Sequence, residues 1–447
     1  MKFKRKKHIK CPKCKVKLFF CLEGEFYWCH KCRYEIDIFK VYEHRKMKIL
    51  VIAGYLEAII KDGDSKRSVK GGASKSITNI VKCLKDIENV KIKTLTQKFR
   101  NKLLQSFDLD CYILVPRIIK TILKFKPDIV ITQDRIAYPT IIISKIMKIP
   151  VIFIIRSLAE FCPKYVSVIK YGKSCSGINN RKQCFKCIEK WRTLRILIGN
   201  RSKGTEYTIK TSLKNIFYKI RYFITVFNLW LINKANIILV ASTLLKKYFF
   251  KIDQNKIKIV NVTPIRKSIT NPIVKKKKQL MFIRTTYDAS HKGLDFILRL
   301  SKIIPKDYHI LIVGGCKDDW KGESPKIINV EFVSSKILLN KMFGESMVTL
   351  VPSFFTEAFG RIIPESLTNK TPVISSPECG VNQFFENKDF LKVIPLKLNL
   401  WKKAIEEIIQ NPPIITDADI DQIYKQFSLE KSKKDFIKII KKVLVND

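Results

Sequence analysis

Two carboxylates with seven residues between them, Glu357 and Glu365, are the side chains of this sequence best placed to meet a polyhydroxylated, charged ligand. They lie in VPSFFTEAFGRIIPESLTNKTPVISSPECG, residues 351–380. Proline is comfortable in a helix only in its first turn, so Pro364 predicts that Glu365 sits beside the unpaired amides of a helix N-terminus. Such a terminus suits a phosphate, Gly360 permits close backbone approach, and a carboxylate accepts hydrogen bonds from sugar or ribose hydroxyls. Taken singly, each Glu reads equally well as a solvated loop residue or a helix-terminal acid; the whole segment favours binding. A weaker signal of the same kind is KGGASKSITNIVKCL from Lys70, where Gly71 and Gly72 read either as a plain turn or as a loop opening a helix toward an anion.

Cysteine supplies a second chemistry. Cys11-x2-Cys14 and Cys29-x2-Cys32, 14 residues apart, form two knuckles whose four thiolates can close a tetrahedral zinc site. MKFKRKKHIK runs into CPKC rather than an apolar segment, so no secretory signal is expected, and in a reducing cytoplasm clustered Cys argue for metal. A module of this size buries too little surface to fold alone, and a structural zinc answers that need. Cys162, Cys175, Cys184 and Cys187 read either as a second metal or iron–sulfur site or as free structural thiols.

Elements must carry these residues. MKILVIAG from Met47 is a buried parallel strand, and DIVIT, VIFII and IILV repeat the type at 128–132, 151–155 and 237–240 with helix-length text between. The rhythm restarts after TPIRKSITNPIVKKKKQ, with strands expected near 280–283, 309–313, 348–351 and 373–375. The alternation predicts an α/β chain of two Rossmann-like, doubly wound domains. The expected organisation is a basic zinc-ribbon-like module over 1–46, a domain over 47–262 with a Cys-rich insertion at about 161–221, and a domain over 263–447. Of the 447 residues 46% are hydrophobic, which excludes wholesale disorder. Lys and Arg total 86 against 39 Asp and Glu, so the +47 surface attracts polyanions, anionic membrane and phosphorylated molecules without choosing among them. The basic, aromatic text over 190–234 reads as a core helix with a cationic outer face or as a surface resting on anionic lipid.

EAFGRIIPE followed by TPVISSPECG resembles the signature of retaining GT-B glycosyltransferases of glycosyltransferase family 4 (group 1), with a likeness running from about Met47 to the C-terminus. The resemblance implies the GT-B arrangement, two Rossmann-like domains facing across a cleft, the first for the acceptor and the second for a nucleotide-diphosphate sugar donor. It implies that Glu357 contacts the donor sugar near the reacting carbon, that Glu365 binds the ribose, and that the Phe359 and Gly360 amides hold sugar hydroxyls. Arg284 and Lys292 in FIRTTYDASHKGLDFIL fall where the family neutralises the departing diphosphate, a role that needs no catalytic metal. The Gly71–Gly72 loop would close over the donor phosphates. Arg156, in PVIFIIRSL, stands where many relatives carry His, and Thr132-Gln133-Asp134 replaces another His-rich stretch. Arg156 reads either as steadying a charged group of the substrates or as part of a buried ion pair.

The expected activity is transfer of a sugar to a hydroxyl acceptor, a glycan or lipid-linked glycan of the cell envelope, by a cytoplasmic protein at the inner face of the membrane. Two alternatives remain: a zinc-ribbon nucleic-acid-binding protein on a degenerate GT-B body, disfavoured because the Glu and Lys-Gly patterns are intact, and a GT-B nucleotide-sugar epimerase or phosphorylase.

Overall fold

Runs of Ile, Val and Leu without polar alternation need cover on both faces, and here they build two parallel sheets flanked by helices. The computed structural model describes residues 3–11, 14, 16–21, 26–36, 46–54, 72–85, 87–96, 110–156, 182, 184–185, 210–249, 251–260, 265, 275–284, 292–314, 326–330, 333 and 335–446.

The N-terminal module is an antiparallel meander of β1 (Phe3–Lys10), β2 (Lys17–Cys21), β3 (Phe26–Cys29) and β4 (Tyr34–Ile36). The sequence shows no strand periodicity here because these strands are short and interrupted by Lys and Cys. Among its described side chains, Cys11, Leu18 and Cys29 are buried in one cluster with Met47, Ile49 and Ile77.

The first parallel sheet contains β5 (Met47–Ala53), β6 (Val90–Thr96), β7 (Ile129–Gln133), β8 (Val151–Ile154), β9 (Ile237–Val240) and β10 (Ile257–Ile259), in the order β10-β9-β8-β7-β5-β6. Its helices are α1 (Gly72–Lys85), α2 (Val115–Phe125), α3 (Ala137–Ile146), α4 (Lys210–Ile232) and α5 (Thr243–Lys247). α2 shows why such segments are helical: Ile118, Ile122 and Phe125 recur at the spacing that puts them on one buried face.

The second sheet contains β11 (Gln279–Ile283), β12 (His309–Val313), β13 (Ile327–Val330), β14 (Val348–Val351), β15 (Val373–Ser375) and β16 (Leu391–Val393), ordered β13-β12-β11-β14-β15-β16. With it come α6 (Leu294–Leu300), α7 (Lys336–Glu345), α8 (Ile362–Leu367), α9 (Leu398–Gln410), α10 (Asp417–Gln426) and α11 (Leu429–Asn446). α9 packs Trp401, Ala404, Ile405 and Ile408 under this sheet, with the Trp401 indole N–H donating to the Pro395 carbonyl at 3.0 Å. α11 reaches back to the first unit, where Phe436, Ile439, Ile440 and Val443 join the cluster of Met47 and Ile49.

In each sheet the chain order reverses once, between β5 and β7 in the first and between β11 and β14 in the second. Open α/β sheets bind ligands outside the carboxyl ends of the strands at such switch points. Among the described residues no helix is long and apolar enough to cross a membrane.

Candidate active site

The second switch point gathers the acids and cations that the sequence singled out. β14 ends at Val351, and the loop beyond it is pinned to the segment after β15: the Glu357 amide donates to the Glu378 carbonyl at 2.7 Å and the Gly380 amide to the Glu357 carbonyl at 3.1 Å. The Glu357 carboxylate therefore points from a fixed backbone. Its Oε1 accepts from Lys292 Nζ at 2.6 Å, and the Ser353 hydroxyl donates to the same oxygen. The two charged side chains are only 20% and 11% exposed, so their attraction is weakly screened. Lys292 also lies over the Phe355 ring, 5.3 Å from its centroid.

Lys292 reaches Glu357 because of the glycine that follows it. Gly293 caps α6 with φ +90, and a Cβ built there would stand 2.1 Å from the Pro352 carbonyl oxygen. Only a residue without a side chain lets the start of α6 rest on the end of β14. Arg284 follows β11 directly and is 2% exposed, its amide bonded to the Val313 carbonyl at 2.8 Å, so it is not a solvated surface cation.

Pro364 and Glu365 lie in the first turn of α8, as the proline predicts. Glu365 Oε1 accepts from Arg361 Nη2 at 2.5 Å. The Phe359 ring is buried at 4% exposure and meets Phe427 edge-on at 5.4 Å, and its carbonyl accepts from the Val381 amide at 2.7 Å. Gly360 has φ +95, while the nearest atom to an added Cβ is 3.4 Å away. Glycine is thus required there by backbone conformation more than by crowding.

The first switch point brings Gly54, Gln133, Asp134 and Arg156 to the carboxyl ends of β5, β7 and β8. Gly54 donates its amide to Asp134, and Gln133 Nε2 lies 3.4 Å from both carboxylate oxygens. Burial lifts the Asp134 carboxyl above its ordinary range, against the pull of Gln133 and the charges of Arg156 and Arg135. Arg156 is pushed down to about 10 by burial and by the charge of Arg361, with Asp134 acting the other way, so it stays cationic at neutral pH. No ion pair joins Arg156 to Asp134. The charge of Arg361, at the head of α8, reaches Arg156, at the end of β8, so these two sheet edges lie near each other.

Contacts the sequence did not reveal set the distance between those edges. Tyr248 of the first unit meets the Thr356 hydroxyl at 2.7 Å, one residue before Glu357, and Thr356 donates to Glu378 at 2.5 Å. The Thr243 amide at the head of α5 donates to Gln383 Oε1 at 2.6 Å. Ser353 was missed as well: a serine at a strand end is too common a residue to carry a signal alone.

Of the remaining expectations, Gly71, Cys162, Cys175 and Cys187 lie outside the described residues, Gly72 opens α1, and Cys184 is half-buried. The Sγ atoms of Cys11, Cys14, Cys29 and Cys32 all lie within 4.8 Å of one another, with Cys11–Cys32 at 3.8 Å and Cys14–Cys29 at 3.5 Å. Zinc–sulfur bonds of about 2.3 Å in a tetrahedron require sulfurs about 3.8 Å apart, so this donor set fits the ion.

Residues 266–427 match the family described as Glycosyl transferases group 1, the stretch that holds Lys292, Glu357 and Glu365. No curated protein matches the chain. Among solved structures, Anabaena HepE in complex with UDP-glucose is similar at 14% identity, TM-score 0.53, over 88% of this chain and 99% of that one. The sucrose-phosphate synthase of Thermosynechococcus elongatus is similar at 12% identity, TM-score 0.56, over 90% of this chain and 100% of that one. The lipopolysaccharide outer core galactosyltransferase WaaB in its apo form gives 13% identity, TM-score 0.56, over 88% and 99%. At these identities the likeness is one of fold. The matched domain and the paired α/β sheets together support a glycosyltransferase of GT-B architecture.

Proposed function

We propose that the chain is a retaining glycosyltransferase that moves a sugar from a nucleotide-diphosphate sugar to a hydroxyl of a glycan or lipid-linked glycan. The observation that carries this reading is the Lys292–Glu357 pair, 2.6 Å apart at the switch point of the domain matching the glycosyltransferase family. Similar folds hold UDP or UDP-glucose in HepE, which supports a nucleotide-sugar donor here.

In this reading the bond from the anomeric carbon to the diphosphate breaks and its electron pair leaves with the diphosphate. Arg284 and Lys292 stabilise the charge that grows there, in a crevice where fixed cations need no reorganisation. Glu357 steadies the electron-deficient sugar, and the Phe359 and Gly360 amides hold its hydroxyls. The acceptor oxygen bonds the same face of the anomeric carbon, its proton passing to a phosphate oxygen of the leaving group. Glu365 still has Oε2 to offer the ribose while Arg361 holds Oε1. Gly71 and Gly72 close over the phosphates. The test is nucleotide release by purified protein from a panel of uridine, guanosine and adenosine diphosphate sugars, with and without acceptor. Glu357→Gln should bind donor and lose turnover; undiminished turnover rejects the assignment.

Two further assignments belong to this reading. Cys11, Cys14, Cys29 and Cys32 hold one structural zinc that organises the N-terminal module. The outer face of α4 contacts anionic membrane from the cytoplasmic side, presenting acceptor to the first domain. Ile220, Phe223, Val226, Phe227 and Trp230 are 41–54% exposed and fall in one sector of the helix, with Lys234 Nζ 4.8 Å from the Trp230 ring. An apolar stripe edged by cations on a basic protein supports an interfacial helix.

A further inference from the structure

Resting on the glycosyltransferase reading, we infer that Arg156 and Arg361 form a second anion site in the cleft. It would grip a carboxylate or phosphate substituent carried by the donor sugar or by the acceptor, apart from the donor's diphosphate.

The argument begins with hydrogen bonds that are missing. Nε and Nη1 of Arg156 and Nε of Arg361 are buried with no hydrogen-bond partner. Buried cationic donors without acceptors are expensive, so such a group calls for an acceptor from a ligand, an ion or water. The two guanidinium groups also repel each other, since the charge of Arg361 lowers the pKa of Arg156. An anion held near both would offset that repulsion, which Glu365 relieves on the Arg361 side only.

The protein's own acids do not fill that role. Asp134 is the carboxylate whose charge Arg156 feels, yet no hydrogen bond joins them, and Asp134 is occupied by Gln133 and the Gly54 amide. Burial also disfavours its ionised form. Glu365 engages Arg361 through Nη2 alone, which leaves its Nε donor unfilled. A guanidinium is a strong partner for a carboxylate or a phosphate, and Arg156 offers two separate buried donors, Nε and Nη1.

Placement argues for an anion other than the diphosphate. The cations that meet the family pattern for the diphosphate, Arg284 and Lys292, belong to β11 and α6 of the second unit. Arg156 projects from the end of β8 in the first unit, the side that receives the acceptor and the outer face of the transferred sugar. A neutral hexose and a neutral acceptor would bring no anion to Nε and Nη1 of Arg156 or to Nε of Arg361.

The test uses the full zinc-loaded chain, Arg156→Met and Arg156→Lys. Binding of free nucleoside diphosphate, followed by thermal shift, should differ little between wild type and Arg156→Met. In a donor arm, nucleotide release is compared for UDP-glucose and UDP-glucuronate, or for the guanosine or adenosine sugars if those bind. In an acceptor arm it is compared for octyl glucoside, octyl glucuronide and glucose 1-phosphate. One arm should show a preference of roughly tenfold or more for the anionic substrate, lost in Arg156→Met and partly kept in Arg156→Lys. The arm that responds identifies the carrier of the charge.

If neither arm prefers an anion while nucleotide is still released, this inference fails and the glycosyltransferase reading stands. If Arg156→Met weakens free nucleoside diphosphate as much as it weakens the sugars, the anion is the diphosphate and the inference is overturned. If no nucleotide sugar binds at all, both fall together.

Discussion

Gly293→Ala is the sharpest probe of how the fold builds this site, because one methyl group tests both packing and chemistry. Gly293 has φ +90, a left-handed conformation that costs an L-residue about 1–2 kcal/mol. The added Cβ would also stand 2.1 Å from the Pro352 carbonyl oxygen and 2.8 Å from Pro352 Cγ, far inside contact distance. That carbonyl cannot swing aside cheaply, since β14 is held on either side of it by Ser376, whose amide donates to Val351 O at 3.0 Å and whose hydroxyl donates to Ser353 O at 2.8 Å. Forced repacking of this kind costs about 1–3 kcal/mol, so the whole loss should be about 2–5 kcal/mol. Relief must come from α6 backing away, which carries Lys292 off Glu357. A misplacement of about 1 Å near the reacting groups costs roughly a hundredfold in rate. Denaturant titration and nucleotide-release turnover on the purified variant measure the two effects. A variant with both wild-type stability and wild-type turnover refutes the account of the Lys-Gly pair.

Lys292→Met, Glu357→Gln and the double variant form a cycle: the single changes each leave a half-buried partner behind, so a coupling of about 0.5–3 kcal/mol in stability is expected, and strict additivity would show that the 2.6 Å contact does not form in solution. If the four N-terminal cysteines hold the proposed zinc, chelation should lower the melting temperature of the first α/β unit and not merely release a tail, because Cys11 and Cys29 share a buried cluster with Met47, Ile49 and Phe436; an unchanged transition on loss of metal contradicts this. Asp134 has a folded pKa above its unfolded value of 3.8, so the native state binds more protons there and stability falls as pH rises from about that value through the folded pKa. Asp134→Asn should remove that part of the slope, with Arg156 and Arg135 left as the facing charges; identical pH profiles for the two proteins count against it. Phe227→Ser with Trp230→Ser should weaken cosedimentation with anionic vesicles and leave neutral vesicles unaffected, whereas equal binding by variant and wild type rejects the α4 contact.

Much of the fold was legible because its central strands are buried on both faces. Val348–Val351, His309–Val313 and Val373–Ser375 appear as short, mostly apolar runs without a charged residue other than a leading His309, and the structure places strands at those residues. The edge strands β6, β10, β13 and β16 were not legible. VKIKTLT of β6 is half solvated and mixes Lys with apolar residues, so its period is blurred by the side that nothing covers. The N-terminal strands escaped for a related reason, since their burial comes from the neighbouring unit and not from an alternation of their own.

The chemistry divides along the same line. Local rules read from sequence alone settled that Pro364 opens a helix with Glu365 in its first turn, and that Cys11, Cys14, Cys29 and Cys32 lie at zinc-knuckle spacing, because both depend on residues close along the chain. Only tertiary structure decided that Lys292 meets Glu357 across 65 residues of sequence, that Tyr248 braces the loop through Thr356, and that Arg156 is buried within electrostatic reach of Arg361 with Nε and Nη1 unpartnered. Those meetings depend on where β11 and β14 pair and on how one sheet edge faces the other. Such distances arise from packing between distant elements, and no periodicity or motif along the chain encodes them.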